Sequence, residues 1–318
     1  MANIFRNQDD RRIRAGWRIA IFFFGYSALI MVAALPRLVI GKNIFTSLSA
    51  VVAFFIATAV AVWLASRFID HRDYREFGLG LDKKWWRDLI IGFLIGALLL
   101  AVIFVIEYAA GLVTITQLFK NEKEVWVNFP FIPTLLVALF AHTGAALFEE
   151  TIFRGYMMKN LAEGFRGKRV NYRTPVILSF ATSSIIFALF HMRNPNISIF
   201  GVVNILLLGL LLGALFILTG EIALSIGLHA SWNFFMGVVF GFPISGTEEE
   251  IALIATKQGG PSLWTGGTFG PEGGLIGLFA ICIGCFLTVL WVRLSRRRLS
   301  LRTQLAEYSP SNPRAEKT

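Results

Sequence analysis

Long apolar runs, separated by short polar and charged stretches, set the pattern of this chain. A run of about 20 apolar residues is long enough for a helix to cross a bilayer. The pattern contains no run of alternating polarity that would indicate a membrane strand, so the predicted fold is all-α and polytopic. Eight membrane helices are predicted, at about 17–36, 44–66, 89–113, 132–162, 175–191, 199–218, 221–240 and 274–294.

Composition and charge support a membrane protein and suggest its orientation. Of 318 residues, 55% are hydrophobic and 16% are charged, which is too apolar for an ordinary soluble protein. Of the 30 Lys and Arg, 24 fall at the predicted inner ends of the helices and six at the outer ends. Basic residues favour the cytoplasmic side, so both termini are predicted to lie inside. The net charge of +10 could suggest a nucleic-acid partner, but the basic residues cluster at the ends of the apolar runs, so no nucleic-acid partner is expected.

The chain is predicted to have four parts. Residues 1–131 hold three membrane helices and, at 68–87, an interfacial linker with a predicted turn at 77–81. The apolar stretch 19–35 is expected to be an uncleaved first helix, with a cleaved signal peptide as the alternative. Residues 132–241 form a core of four membrane helices. Residues 242–295 hold a Gly-rich outer loop and the last helix, and residues 296–318 are expected to be a basic, disordered tail.

Two adjacent carboxylates, Glu149 and Glu150, stand inside the predicted fourth helix. A charged residue near a bilayer centre costs a few kcal/mol or more, which favours a functional role. Glu150 and Arg154 are four residues apart and share a helix face, so they are predicted to form a structural ion pair. Glu149 is turned about 100° away and is predicted to be the working carboxylate.

Two further helices carry polar side chains at membrane depth, each within a pair of residues one turn apart. His191 follows Phe187 by one turn, and His229 precedes Asn233 by one turn. Taken separately, they have plain explanations as aromatic packing and as interhelical hydrogen bonding. At about 1.5 Å per residue, Glu149, His191 and Asn233 are predicted to lie at similar depths. His229 is predicted to be shallower, unless the link 219–221 is sunk below the surface.

This set of side chains suggests amide hydrolysis. A carboxylate and imidazoles can activate and position water, and an amide N–H can stabilise an oxyanion. Zinc held by Glu149, His191 and His229 is the alternative. A site without a metal or other cofactor is preferred, because Asn233 is a poor zinc ligand. His142, seven residues before Glu149, is predicted to pack between helices or to line a cavity.

The three motifs resemble those of the CPBP family, which contains the type II CAAX prenyl proteases and related bacterial bacteriocin-processing and immunity proteins. They are Glu149-Glu150-x-x-x-Arg154, Phe187-x-x-x-His191 and His229-x-x-x-Asn233. The resemblance implies an eight-helix intramembrane endopeptidase with a cavity open to the cytoplasm, acting on membrane-associated proteins or peptides within the lipid bilayer. It implies catalytic roles for Glu149, His191, His229 and Asn233, and supporting roles for Glu150, Arg154 and Phe187.

Three readings of function stay open at this point. The preferred one is an intramembrane protease of a bacterial cytoplasmic membrane. A non-catalytic immunity or scaffold protein of the same fold is the main alternative, although a scaffold need not keep the costly Glu149. A transporter is less favoured, because the sequence contains neither paired interrupted helices nor an internal repeat.

Overall fold

Helices carry this fold, as the sequence predicts. The computed structural model describes residues 4–7, 12–41, 44–122, 130–167 and 170–308. Within these ranges the regular elements are α1 (Ala15–Val39), α2 (Ile44–Leu64), α3 (Lys83–Ala109), β1 (Val113–Asn121), α4 (Phe131–Glu150), α5 (Lys159–Gly164), α6 (Arg173–His191), α7 (Ile199–Thr219), α8 (Ala223–Asn233), β2 (Ile251–Gln258), α9 (Ser262–Thr265) and α10 (Leu275–Arg296).

Seven helical segments in the described ranges are long and apolar enough to cross a membrane. They are Ala15–Pro36, Phe45–Ile69, Lys83–Ala109, Phe131–Gly164, Arg173–His191, Ile199–Thr219 and Leu275–Arg296. An eighth apolar segment, Ala223–Val239, has 17 residues and is shorter than the others. The protein is therefore an all-α integral membrane protein, and the count of eight crossings and the orientation remain predictions.

The interfacial linker covers the short α8 at its start. The Ile222 amide donates to the Gly78 carbonyl (3.1 Å), and the Gly80 amide donates to the Glu221 carboxylate (3.1 Å). Gly78 has a left-handed backbone, as expected for the predicted turn at residues 77–81. Burial raises the pKa of the Glu221 carboxyl above its ordinary value. The link 219–221 is thus sunk beneath the linker, so His229 lies deeper than its sequence position alone implies.

A close helix crossing fixes α8 against α3. Cβ atoms added at Gly92 and Gly227 would lie 2.3 and 2.0 Å from carbonyl oxygens of the facing helix. Glycine is therefore required at both positions for the two backbones to approach this closely. The crossing holds α8, with its histidine, in the middle of the bundle.

A two-stranded antiparallel ribbon departs from the expectation of a chain without strands. Val113 of β1 pairs with Gln258 of β2, and Asn121 pairs with Ile251. The strands are separated by more than 100 residues, so neither segment shows a hairpin pattern locally. The Gln258 amide also donates to buried Glu107 (2.8 Å), which anchors the ribbon to α3. The side of the bundle that carries β1 and β2 is called the ribbon face below.

The chain after α10 corrects the prediction of a disordered tail from residue 296. Residues 297–308 fold back under the bundle, and Leu305 and Ala306 are buried. Lys159, itself buried, donates to the Glu307 carbonyl (2.7 Å), and the guanidinium of Arg12 lies 3.3 Å from the centre of the Tyr308 ring. A buried cation needs acceptors, and this returning segment supplies them. The side that carries residues 302–308 is called the tail face, and the predicted disorder of 309–318 lies outside the described residues.

Single-cysteine labelling tests the predicted orientation. We expect a membrane-impermeant thiol reagent to modify Thr256→Cys in intact cells and to leave Val170→Cys unmodified, because the charge pattern places the ribbon face outside. Permeabilised cells, in which both positions should react, are the control. Labelling of Val170→Cys from outside would overturn both the orientation and the count of eight crossings.

Candidate active site

The helix that carries the two carboxylates changes its winding directly after them. Helix α4 ends at Glu150 and continues as a π-helix, Thr151–Met158, before α5. Wider π turns are frequent at functional sites. Gly155 lies in this segment, and a Cβ there would meet the Phe77 carbonyl oxygen at 2.6 Å. The absence of a side chain at Gly155 lets the interfacial linker close against the helix below the carboxylates.

Arg154 is buried, and its guanidinium group contacts three other groups. Its Nη1 donates to Glu150 Oε1 (2.9 Å), and its Nη2 donates to the carbonyl of Gly209 in α7 (3.3 Å). The guanidinium carbon lies 4.2 Å from the centre of the Phe187 ring. The predicted Glu150–Arg154 contact is therefore present, with both side chains at 1% exposure or less. A buried pair of this kind needs such additional partners to offset its desolvation.

His229 joins the same carboxylate from α8. Its Nδ1 lies 2.8 Å from Glu150 Oε1. A carboxylate only accepts, so the imidazole Nδ1 donates and, in the neutral ring, Nε2 carries the lone pair. Nε2 is 3.9 Å from Glu149 Oε2, which is too far for a direct hydrogen bond and close enough for one water to contact both atoms. Oε2 of Glu149 has no hydrogen-bond partner among the described residues.

Phe187 connects the second motif to the other two. The Nδ1 of His191 lies 2.8 Å from the Phe187 carbonyl oxygen, which only accepts, so the neutral ring again leaves Nε2 with the lone pair. The Phe187 ring centre is 4.5 Å from that of His191 and 6.3 Å from that of His229. Phe187 is 2% exposed. Its ring therefore packs against Arg154 and both histidines and holds the three motifs at one place.

Asn233 lies one turn beyond His229, at the end of α8, and a π-helix, Phe234–Val239, follows it. Its side chain is half-buried and has no hydrogen bond to another described residue. The preceding Trp232 is anchored, because its indole N–H donates to buried Glu272 (3.0 Å). Asn204 donates to the carbonyls of Glu272 and Gly274 (2.9 Å each), so it fastens the Gly-rich loop and not the site.

The structure brings six of the seven predicted residues into one set of contacts, and Asn233 lies at its edge. Two contacts escape sequence reasoning. The Glu150–His229 hydrogen bond joins residues of two helices that are 79 positions apart in the chain. The Gly209 carbonyl that accepts from Arg154 is a backbone group, so no side chain in the sequence marks it.

The same side chains do not form a metal-ligand set. Among the described residues no group of three or more His, Cys, Asp or Glu is arranged to hold a metal ion. Zinc binds nitrogen and oxygen at about 2.0–2.2 Å in tetrahedral geometry. Two such ligands lie closer together than the 3.9 Å between Glu149 Oε2 and His229 Nε2. These two atoms are thus somewhat farther apart than two ligands of one zinc ion. The choice between zinc and a metal-free site stays a prediction.

Comparison with known proteins agrees with the motifs. Residues 131–235 match the family model described as type II CAAX prenyl endopeptidase Rce1-like. This stretch of the chain is similar to an Rce1-like domain. This domain begins with α4 and ends two residues after Asn233, so it contains all three motifs. The Rce1-like family consists of polytopic membrane proteins, and its description names CAAX prenyl endopeptidases.

One similar curated protein is the uncharacterized protein YyaK of Bacillus subtilis (strain 168). It is 27% identical over 179 residues, which is 55% of this chain and 55% of that protein. The chain thus matches about half the length of this relative. Its description assigns no activity, so the Rce1-like domain and the site geometry carry the functional argument.

Stability measurements should separate the roles of the two glutamates. Arg154→Ala leaves Glu150 buried without its cation, and breaking such a pair typically costs about 3–5 kcal/mol. We therefore expect a clear loss of thermal stability and yield. Glu149→Gln is the matched variant on the neighbouring residue, and it should leave stability unchanged or improve it, because it removes a desolvated charge that has no ion-pair partner in hydrogen-bond range. Equal destabilisation by both changes, measured by thermal unfolding in detergent, would contradict this division of roles.

Proposed function

We propose that this protein is an intramembrane endopeptidase that hydrolyses peptide bonds of membrane-associated substrates with water activated by Glu149. The observation that carries the proposal is the pairing of Glu149 Oε2 with the lone-pair nitrogen of His229 across 3.9 Å. This gap suits one water molecule and lies where the three motifs meet. The Rce1-like domain supports a protease in general terms, and a bacterial cytoplasmic membrane is the location we propose.

Each residue has a defined part in the proposed reaction. Glu149 accepts a proton from the water, whose oxygen attacks the substrate carbonyl carbon. The proton then passes from the Glu149 carboxyl to the nitrogen of the leaving amine, and the C–N bond breaks. Glu150 holds His229 in the tautomer that presents Nε2, and the Phe187 carbonyl does the same for His191. Asn233 donates to the oxyanion that forms during attack.

An apolar groove beside the site supports a membrane-associated substrate. The groove has a volume of about 430 Å³ and lies between α2, the interfacial linker and α3. Trp63 and Trp85 line its sides, and Leu147 and Ile226 form its inner wall. Ile226 is three residues from His229, so the groove leads from the edge of the bundle to the face of α8 that carries the site. We propose that an apolar segment of the substrate lies in this groove.

Comparison of membrane-protein C-termini in cells tests the function. We expect specific C-terminal fragments in cells with the wild-type protein and their loss with Glu149→Gln, since the variant removes the proton acceptor but keeps the side-chain shape. Immunoblotting for equal amounts of both proteins is the control. Identical C-termini in the two strains, at equal protein levels, would favour the scaffold reading.

The oxyanion role of Asn233 and the metal question are tested with the purified protein and a substrate found in this way. Asn233→Ala should lower kcat by about 100- to 1,000-fold with little change in KM, because the contact forms mainly in the transition state.

Activity should survive prolonged dialysis against chelator. One zinc per chain in elemental analysis, lost with activity in His191→Ala and needed to restore wild-type activity after chelation, would rule out the metal-free proposal.

Ala59 lines the apolar groove from α2 and offers a test of substrate binding. Ala59→Trp fills part of the groove, so we expect KM to rise about tenfold or more while kcat stays within a factor of about three. Val60→Trp is the control, because Val60 is a neighbouring exposed residue that does not line the groove. Ala57 is buried, so Ala57→Trp would not be a suitable control. Equal effects of the changes at Ala59 and Val60 on KM would contradict binding in the groove.

A further inference from the structure

A second cavity lies on the other side of α4, open toward the ribbon face. Its volume is about 280 Å³, and it is enclosed by the first turns of α2, the ribbon-face half of α4 and the segment before β2. Its lining includes Ser47, Ala138, His142, Ala145 and Glu249. The catalytic proposal uses none of these residues. This cavity is called the ribbon-face cavity below.

Two polar features of this cavity favour water within it. Ser47 is 7% exposed, and its buried hydroxyl has no hydrogen-bond partner among the described residues. Leaving such a group unpaired costs about 1–3 kcal/mol, which a bound water avoids. His142 Nε2 lies 3.6 Å from Glu249 Oε1, so a polar pair also crosses the cavity. A volume of 280 Å³ has room for several waters, each of which occupies about 30 Å³ in the liquid.

The floor of the ribbon-face cavity lies next to the proposed catalytic carboxylate. Ala138, His142, Ala145 and Glu149 follow one another at intervals of three or four residues, so they form one stripe along α4. Ala145 is one turn, or about 6 Å, from Glu149. Alanine side chains leave space along this stripe. The Glu149 side chain is 28% exposed, in contrast to that of Glu150, which is completely buried.

We infer that the ribbon-face cavity is a water route that supplies Glu149 from the ribbon face, with His142 and Glu249 forming its polar neck. The predicted orientation places this face outside, so water reaches the carboxylate from the side opposite to the cytoplasmic opening that the family resemblance implies. Lipid and the apolar groove lie on the other side of α4. The use of this water in hydrolysis rests on the proposed function, whereas the route itself does not.

Cysteine accessibility tests the route without any activity assay. In a background with Cys282→Ala and Cys285→Ala, Ala145→Cys is compared with Phe140→Cys. Phe140 lies on the same helix, is 55% exposed and does not line the cavity, so it faces the apolar surroundings. Thiol reagents attack the thiolate, which forms in contact with water and not with lipid. A charged, impermeant methanethiosulfonate is applied to intact cells and to inside-out vesicles.

We expect Ala145→Cys to react at least tenfold faster than Phe140→Cys, and from the same side as Thr256→Cys on the ribbon. Adding His142→Trp, which fills the neck, should slow the reaction of Ala145→Cys at least tenfold and leave that of Thr256→Cys unchanged. Reaction of Ala145→Cys only from the side that labels Val170→Cys, or at the rate of Phe140→Cys, would overturn the route.

Filling the cavity tests whether its water is used. Ala138→Leu and Ala138→Trp should lower kcat progressively, by about threefold and tenfold or more, with KM unchanged, because the substrate groove is on the other side of the helix. Thr256→Cys combined with each Ala138 variant should be labelled at the same rate as Thr256→Cys alone, which shows that the variant is folded. Wild-type kcat in Ala138→Trp, with Ala145→Cys shielded, would overturn the supply of water by this route. Proteolysis that persists in Glu149→Gln would overturn the proposed function and leave the labelling result standing.

Discussion

The interaction on which the site depends is the buried carboxylate of Glu150, whose one oxygen accepts from both Arg154 and His229. A lone carboxylate in an apolar bundle would be too costly to bury, and the guanidinium group offsets that cost. The same oxygen fixes the tautomer and position of the imidazole. The Glu150–Arg154 pair, which lies within α4 and the π-helix that follows it, thereby holds His229 of α8 where it faces Glu149.

Several features of the fold serve to keep α8 in reach of this carboxylate. The glycine crossing lets its backbone touch α3, and the interfacial linker covers its first residues through the Gly78 carbonyl. At the other end, Glu272 of the Gly-rich loop accepts from Trp232. A helix of this length could otherwise slide along its axis, and a shift of one residue, about 1.5 Å, would break the hydrogen bond to Glu150.

Hydrolysis inside a bilayer needs apolar substrate and water at one place without mixing their paths. In the proposed reaction, helix α4 presents one face to the substrate and another to the water. Thr143 and Leu147 line the apolar groove, whereas His142 and Ala145 line the ribbon-face cavity, and Glu149 lies just beyond both. The helix itself then acts as the partition, since neighbouring positions along it point about 100° apart.

The sequence by itself determined the class of fold, the position of nearly every membrane helix and six residues that meet in one site, because apolar runs and i,i+4 spacings are local properties of the chain. It also determined the Glu150–Arg154 pair, which lies within a single helix. Tertiary structure alone decided that His229 bonds Glu150, that β1 pairs with β2, and that Lys159 holds residues 304–307 against the bundle. These contacts join segments far apart in the chain, so the free energy that favours them comes from the packing of whole helices and leaves no local pattern in the sequence.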